Sequence, residues 1–395
     1  MSAVSKGPPW KNIEFYKSPI FFHGFYTPIK SQWIDKTPEV ILNLKNGIGA
    51  KEELPVWDLA KRITNPYELI YTSSTNVSLP QSISILKPLS RSFFKLVEML
   101  ELMKFFETTK TARYRSLHLC EGPGGFIEAF LDRAQRYKKH VSNVYAMTLK
   151  QTNHTIPGWR AANRLLSRNP EIVIEYGPNT NGNILEEENQ KHLEVLLKRG
   201  AHLVTADGGF DFSIDFQAQE KLVFPLLVAS AKIALSTLAP SGSFILKIFD
   251  SFSDVTNTFL AFLAMHFQEY TIYKPVTSRP CNSERYFIGR FFRSFPESSR
   301  KIFEELGKFG ADMEWKQEQQ QEQQQQQQII ETLKTNMLTC TDKYVEVQKE
   351  ALSRVLCFPE VPNEDAVKKV WSEQEQKSVQ WCQAFHIASR AIRPL

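Results

Sequence analysis

Between about residue 81 and residue 295, short apolar runs alternate with stretches long enough to be helices, and this pattern narrows the possible folds more than any other feature. Residues 116–120 form a short apolar run ending in a glycine-rich turn, followed by a helical stretch over 126–137. Further strands are predicted at 143–148, 201–206 and 243–247. A helix over 91–104 precedes them, and helices over 217–238 and 255–267 fall between and after them. Strands that alternate with helices of ten or more residues imply right-handed βαβ units and an α/β fold, with a mostly parallel sheet covered by helices on both faces. The closing strands, 271–273 and 284–292, look antiparallel and belong at one edge of that sheet.

The flanks differ in texture. Residues 1–80 mix aromatics (Trp10, Phe15, Tyr16, Phe21, Phe22, Phe25, Tyr26, Trp33) with prolines, as expected of an N-terminal extension that packs on the core formed by 81–295. Residues 296–328 read as a Gln-rich linker, with ten glutamines among the twelve residues 317–328. A helical C-terminal region is predicted over 329–395, with a break near Pro359 and Pro362. An apolar fraction of 42% with 28 phenylalanines excludes a wholly disordered chain. The net charge of +5 suits a polyanionic partner but equally an ordinary soluble surface. Five widely spaced cysteines without a C-x-x-C fit free thiols in a reducing compartment, and the scattered histidines give no metal site. The N-terminus has no apolar signal segment. The longest apolar stretch, 222–239, contains Pro225 and Lys232 and reads as a buried amphipathic helix, so no membrane partner is expected.

The turn after the first core strand is Cys120-Glu121-Gly122-Pro123-Gly124-Gly125-Phe126. Glycines there let a nucleotide-like ligand approach backbone amides at a helix N-terminus, although many purely structural turns look the same. The turn is not G-x-G-x-x-G, and the next strand ends Met147-Thr148-Leu149-Lys150 without a ribose-binding carboxylate, which argues against nicotinamide or flavin. Asp207 and Lys247 each close an apolar strand, at the edge where open parallel sheets bind ligands. A lysine in that position loses hydration and must be paired or functional.

Taken with Arg91-Ser92-Phe93-Phe94-Lys95, Asn65-Pro66-Tyr67-Glu68, Ala206-Asp207-Gly208-Gly209-Phe210 and 277–286, these segments resemble the FtsJ-type RNA ribose 2′-O-methyltransferases, most closely those acting on mRNA caps. The resemblance runs from about 60 to 292. It implies a Rossmann-like fold using S-adenosylmethionine, with a catalytic Lys95, Asp207, Lys247, Glu284 tetrad. It further implies donor binding by Gly122, Pro123, Gly124, Gly125, Phe126, Asp207 and Asn183, the last standing where the family usually has an acidic residue. Ser278, Arg279, Asn282 and Ser283 would contact RNA. Lys247 would act as the base, its pKa lowered by a nearby Lys95, with Asp207 and Glu284 holding the two amines.

The activity implied is conversion of cap0 to cap1 on capped mRNA. The alternatives are cap2, ribosomal RNA or transfer RNA methylation, or a non-catalytic RNA-binding subunit. DNA is excluded because it lacks the 2′-hydroxyl. The nucleus is the expected compartment, or the cytoplasm for a virus. Capping or transcription machinery would be met through the C-terminal region. Arg160, Arg164 and Arg168 recur every four residues, as phosphate contacts or simply as a solvated face. Trp10 and Trp33 either stack on a methylated guanine or pack the extension.

Overall fold

The computed structural model describes residues 8–19, 26–72, 80–152, 158–209, 218–317 and 324–390; the aromatics Phe21, Phe22, Phe25 and Phe210, the first seven residues and residues 318–323 of the glutamine run lie outside them. Two short strands come first, β1 (Tyr16–Lys17) and β2 (Tyr26–Lys30), followed by helices α1 (Glu39–Glu52) and α2 (Trp57–Ile63). The core opens with α3 (Ser92–Leu102) and α4 (Phe105–Thr108). The first half of the alternating pattern is β3 (Tyr114–Leu119), α5 (Gly125–Arg136), β4 (Val141–Met147), α6 (Asn163–Arg168), β5 (Ile172–Glu175) and α7 (Glu187–Leu196). The second half is β6 (Ala201–Ala206), α8 (Gln219–Thr237), β7 (Leu238–Ile248), α9 (Asp254–Ala264), β8 (Phe267–Tyr273) and β9 (Arg285–Phe292). Helix α10 (Glu297–Phe309), β10 (Met313–Gln317), α11 (Gln324–Leu356) and α12 (Glu364–Ala384) follow.

Eight strands form one sheet in the order β1-β8-β9-β7-β6-β3-β4-β5. The run from β7 to β5 is parallel, and β9, β8 and β1 add on antiparallel, so the antiparallel end stands at the edge where the sequence put it. From β3 the chain winds outward through β4 to β5, then returns to lay β6 on the other side of β3. The boundary between β3 and β6 is therefore the topological switch point, where the turns diverge and leave a crevice at the C-terminal strand ends. Both faces of the central strands are covered. Val204, Phe244 and Leu246 join one buried cluster, while their neighbours Leu203 and Ile245 join the other, as the two-residue side-chain period dictates. No helix among the described residues is long and apolar enough to cross a membrane.

Three segments differ from the sequence reading. β5 has four half-buried residues, too short for its apolar run to stand out. Residues 39–63 of the N-terminal extension are largely helical. The expected linker contains α10, which buries Ser299, Phe303 and Leu306, and β10, which pairs antiparallel with β2. Phe303 and Leu306 share one helical face by their three-residue spacing, a signal overshadowed by the glutamines that follow. Trp10 packs edge-on against Tyr67 and Phe385, and Trp33 lies against Phe224, so both tryptophans serve packing. The arginines at 160, 164 and 168 are exposed on and just before α6.

The C-terminal helices cover the core. Trp381, Cys382, Phe385 and Ile387 enter the cluster that holds Phe94 and Phe126. The backbone after α12 bonds to residues ahead of α3, with Ile85 N donating to Ala388 O and Arg390 N to Ile83 O.

Candidate active site

Topology alone gathers four charged side chains at one edge of the sheet. Asp207 follows β6, and Lys247 is the penultimate residue of β7. β9 runs antiparallel to β7 with Lys247 opposite Tyr286, so Glu284, just before β9, emerges at the edge where the parallel strands end. Lys95 reaches the same place from α3, whose other side buries Phe93, Phe94, Leu96 and Val97.

Two ion pairs result. Lys95 Nζ lies 2.6 Å from Glu284 Oε1. Lys247 Nζ lies 3.5 Å from Asp207 Oδ1 and donates to the Asp207 carbonyl at 3.1 Å. Tyr286 joins them: its hydroxyl is 2.8 Å from Asp207 Oδ1 and 3.2 Å from Glu284 Oε1, so its single proton serves one acid at a time. Burial by itself would raise the Glu284 carboxyl, but Lys95 and Lys247 hold it down at about 2. Lys247 corrects the expectation of a depressed amine. Burial works to lower it, yet Asp207 and Glu284 outweigh burial and raise it above the ordinary lysine value.

The glycine turn lies across the switch point from Asp207, whose N–H donates to Leu119 O at the end of β3. Gly124 has φ +107°, a left-handed conformation that favours glycine, and a Cβ there would press on Trp159. Gly122 and Pro123 are partly open, whereas Gly124, Gly125 and Phe126 are buried. Glu121 is 3% exposed, and its Oε1 accepts from Phe126 N at 2.5 Å, which ties the turn to the start of α5. Among the described residues, two buried polar atoms beside the turn find no partner: Glu121 Oε2 and Trp159 Nε1. Burial and then the Asp207 charge push the Glu121 carboxyl well above the usual carboxylate range.

Asn183 stands on the loop beyond β5. Its side chain is engaged locally, with Oδ1 accepting from Leu185 N and Nδ2 donating to Glu186. Gly182 before it has φ +67°, and a Cβ there would collide with Thr148 O at the end of β4, which brings this loop to the same sheet edge.

The four expected RNA contacts divide. Ser278 and Ser283 are buried, and their hydroxyls donate to Asn282 Oδ1 and Gln219 Oε1 respectively, which makes them loop scaffold. Asn282 is exposed, but its Oδ1 and its carbonyl are both held by Lys274 Nζ, at 2.6 and 2.7 Å. Arg279 is half-open and bonds through two nitrogens to Glu68, a buried carboxylate that also pairs with Arg62 and Arg91. The sequence reading assigned no part to Tyr286, Glu121, Trp159 or Lys274. Tyr286 and Glu121 lay inside quoted segments; Trp159 and Lys274 carried no periodicity or spacing signal.

The FtsJ-like methyltransferase family model matches residues 88–292, more than half of the chain. Cap-specific mRNA (nucleoside-2′-O-)-methyltransferase 1 of Drosophila melanogaster is 33% identical over 186 residues, covering 46% of this chain and 22% of the relative. Cap-specific mRNA (nucleoside-2′-O-)-methyltransferase 2 of Danio rerio is 30% identical over 288 residues, covering 68% and 36%. The cap-specific mRNA (nucleoside-2′-O-)-methyltransferase of Autographa californica nuclear polyhedrosis virus is 31% identical over 172 residues, covering 44% and 62%. In each case the chain spans less than two thirds of the relative's length. The parallel sheet with its antiparallel edge, the glycine turn at the switch point and the matched span together show that this chain belongs to the FtsJ-like methyltransferase family.

Proposed function

We propose that the chain methylates the ribose 2′-hydroxyl of the first transcribed nucleotide of capped RNA, cap0 to cap1, with S-adenosylmethionine as the methyl donor. The observation carrying this reading is the meeting of two lysine–carboxylate pairs, Lys95–Glu284 and Lys247–Asp207, beside the glycine turn. The relatives' names supply the capped RNA substrate.

The turn fits the donor on observations of its own. Gly124 is a close-approach position, and Glu121 Oε2 and Trp159 Nε1 are buried polar atoms that lack partners. Gly122, Pro123, Gly124, Gly125 and Phe126 would hold the donor together with Asp207, and the Asn183 loop would close the far end. Bound there, it supplies a methyl group on positively charged sulfur.

The chain's own residues then have three tasks. Lys247 takes the hydroxyl proton as oxygen attacks carbon, which requires that its amine first be neutral. Asp207 and Glu284 oppose that by stabilising the ammonium, so the base form is scarce at neutral pH and grows as pH rises. Lys95 orients the ribose oxygen while Glu284 fixes its amine, and Tyr286 keeps the two pairs at a set spacing. In-line placement of oxygen, carbon and sulfur supplies much of the remaining acceleration. Arg279 and the exposed arginines of α6 give the RNA phosphates positive charge to follow.

For a cellular gene this reading places the work in the nucleus, beside capping or transcription machinery. α12 packs its apolar face on the core, which leaves its polar outer face for such a partner. Capped and uncapped RNAs of equal length, incubated with labelled donor and digested to map the new methyl, test the proposal. Label confined to the first nucleotide of capped RNA is expected. Equal labelling of both RNAs, or label on the second nucleotide, overturns it.

A further inference from the structure

Glu121 is the carboxylate of this site that has no cation of its own. Lys95 is matched to Glu284 at 2.6 Å and Lys247 to Asp207 at 3.5 Å. Glu121 faces both lysines and Asp207 electrostatically, and none of them forms a hydrogen bond or ion pair with it. Its Oε1 is occupied by Phe126 N, while Oε2 is shut off from water and accepts from no group among the described residues. A buried acceptor left without a donor costs free energy, so native structures rarely carry one unless a ligand or an ordered water completes it.

The missing partner is defined by what surrounds the atom. It must bring an N–H or O–H to Oε2, because a carboxylate oxygen accepts hydrogen bonds. It should carry positive charge, because burial and the Asp207 charge favour the protonated form of Glu121, and a cation beside it restores the carboxylate. It must also enter at the glycine turn, since Glu121 is the turn's first residue after Cys120 and is tied to the first turn of α5. The donor in the proposed reaction has one group that meets all three conditions. Its sulfonium is cationic but has no N–H, and its adenine and ribose have N–H or O–H but no charge. Only its α-ammonium is both.

We propose that Glu121 Oε2 accepts a charge-assisted hydrogen bond from the α-ammonium of the methyl donor, and that this carboxylate selects ligands with an amino-acid tail. The inference rests on the methyl-donor reading above and goes further by assigning a recognition role to a residue of the turn that the motif comparison did not single out. Gln at this position keeps an oxygen for Phe126 N, so Glu121→Gln removes the charge while preserving the turn.

The test is titration calorimetry with S-adenosylhomocysteine and with its analogue in which hydrogen replaces the α-amino group, on wild type and E121Q, with thermal melting as the check on folding. Wild type should prefer the amino-bearing ligand at least tenfold, E121Q should lose most of that preference, and both proteins should bind the deaminated analogue alike. Unchanged affinity of E121Q for S-adenosylhomocysteine overturns the assignment. Equal weakening of both ligands also overturns it, because Glu121 would then merely shape the turn. Absence of S-adenosylhomocysteine binding by folded wild type overturns the donor reading itself, and this inference with it.

Discussion

Glu98 and Glu121 are almost equally shut off from water, at 0% and 3% exposure, yet their surroundings are opposite. Glu98, one turn beyond Lys95 on α3, has donors at both oxygens. Oε1 takes the Tyr273 hydroxyl and, at 2.9 Å, Val276 N; Oε2 takes Trp381 Nε1 at 2.9 Å. Burial raises it, and these donors limit the rise to about 7. Glu121 has one backbone donor, a neighbouring carboxylate and one empty oxygen. A buried acid supplied with donors from three elements fixes α3, the loop after β8 and α12 against one another. A buried acid short of a donor marks where the fold stops supplying partners and a ligand is expected.

Variants at the reacting edge sharpen that comparison most. Lys247→Ala should reduce methyl transfer about 10³-fold, within the range for loss of a general base, while donor affinity stays within about threefold. Single-turnover transfer alongside calorimetric binding measures both. Transfer at near wild-type rate removes Lys247 from the role of base.

The two glutamates can be set directly against each other by stability. Glu98→Ala strands the Tyr273 hydroxyl, the Val276 N–H and the Trp381 indole N–H, so urea unfolding should show a loss of about 3 kcal/mol. Glu121→Gln keeps the Phe126 bond and removes the repulsion with Asp207, so without ligand it should stay within about 0.5 kcal/mol of wild type. Equal destabilisation by the two substitutions would erase the distinction between scaffold and ligand site.

The smallest effect is in the pH profile. Lys247 is held above the ordinary lysine value by Asp207 and Glu284, so its neutral form increases about tenfold per pH unit over pH 7 to 9, and kcat/KM should climb with it. Asp207→Asn removes one stabilising charge and should move that climb to lower pH, even though the variant is slower overall. A flat wild-type profile over this interval is incompatible with a lysine base.

Sequence could reveal some of this and not the rest. Lys247 and Asp207 stood out because an apolar strand that ends in an ionisable residue is unusual; β6 has the bounds read from the sequence, whereas β7 begins five residues earlier and ends one residue past Lys247. Glu284 had no such mark and came only with the family resemblance. The amine's electrostatics were misjudged because charge balance depends on distances: Lys95 pairs with Glu284, leaving the carboxylates to dominate Lys247. Glu98 carries no mark in the sequence, because its partner Trp381 lies 283 positions away. Ser278 and Ser283 were assigned to RNA from position in a motif, whereas their hydroxyls hold the loop that carries the exposed Asn282.

The reach of Trp381 to Glu98 has an outcome during synthesis. A growing polypeptide can complete the entire matched span, 88–292, and still lack the Trp381 indole that meets Glu98, one turn from Lys95. Until that tryptophan has cleared the ribosome and α12 has settled, the helix bearing Lys95 is held by one fewer anchor. That anchor therefore arrives late, after the segment matched by the family model has already been made.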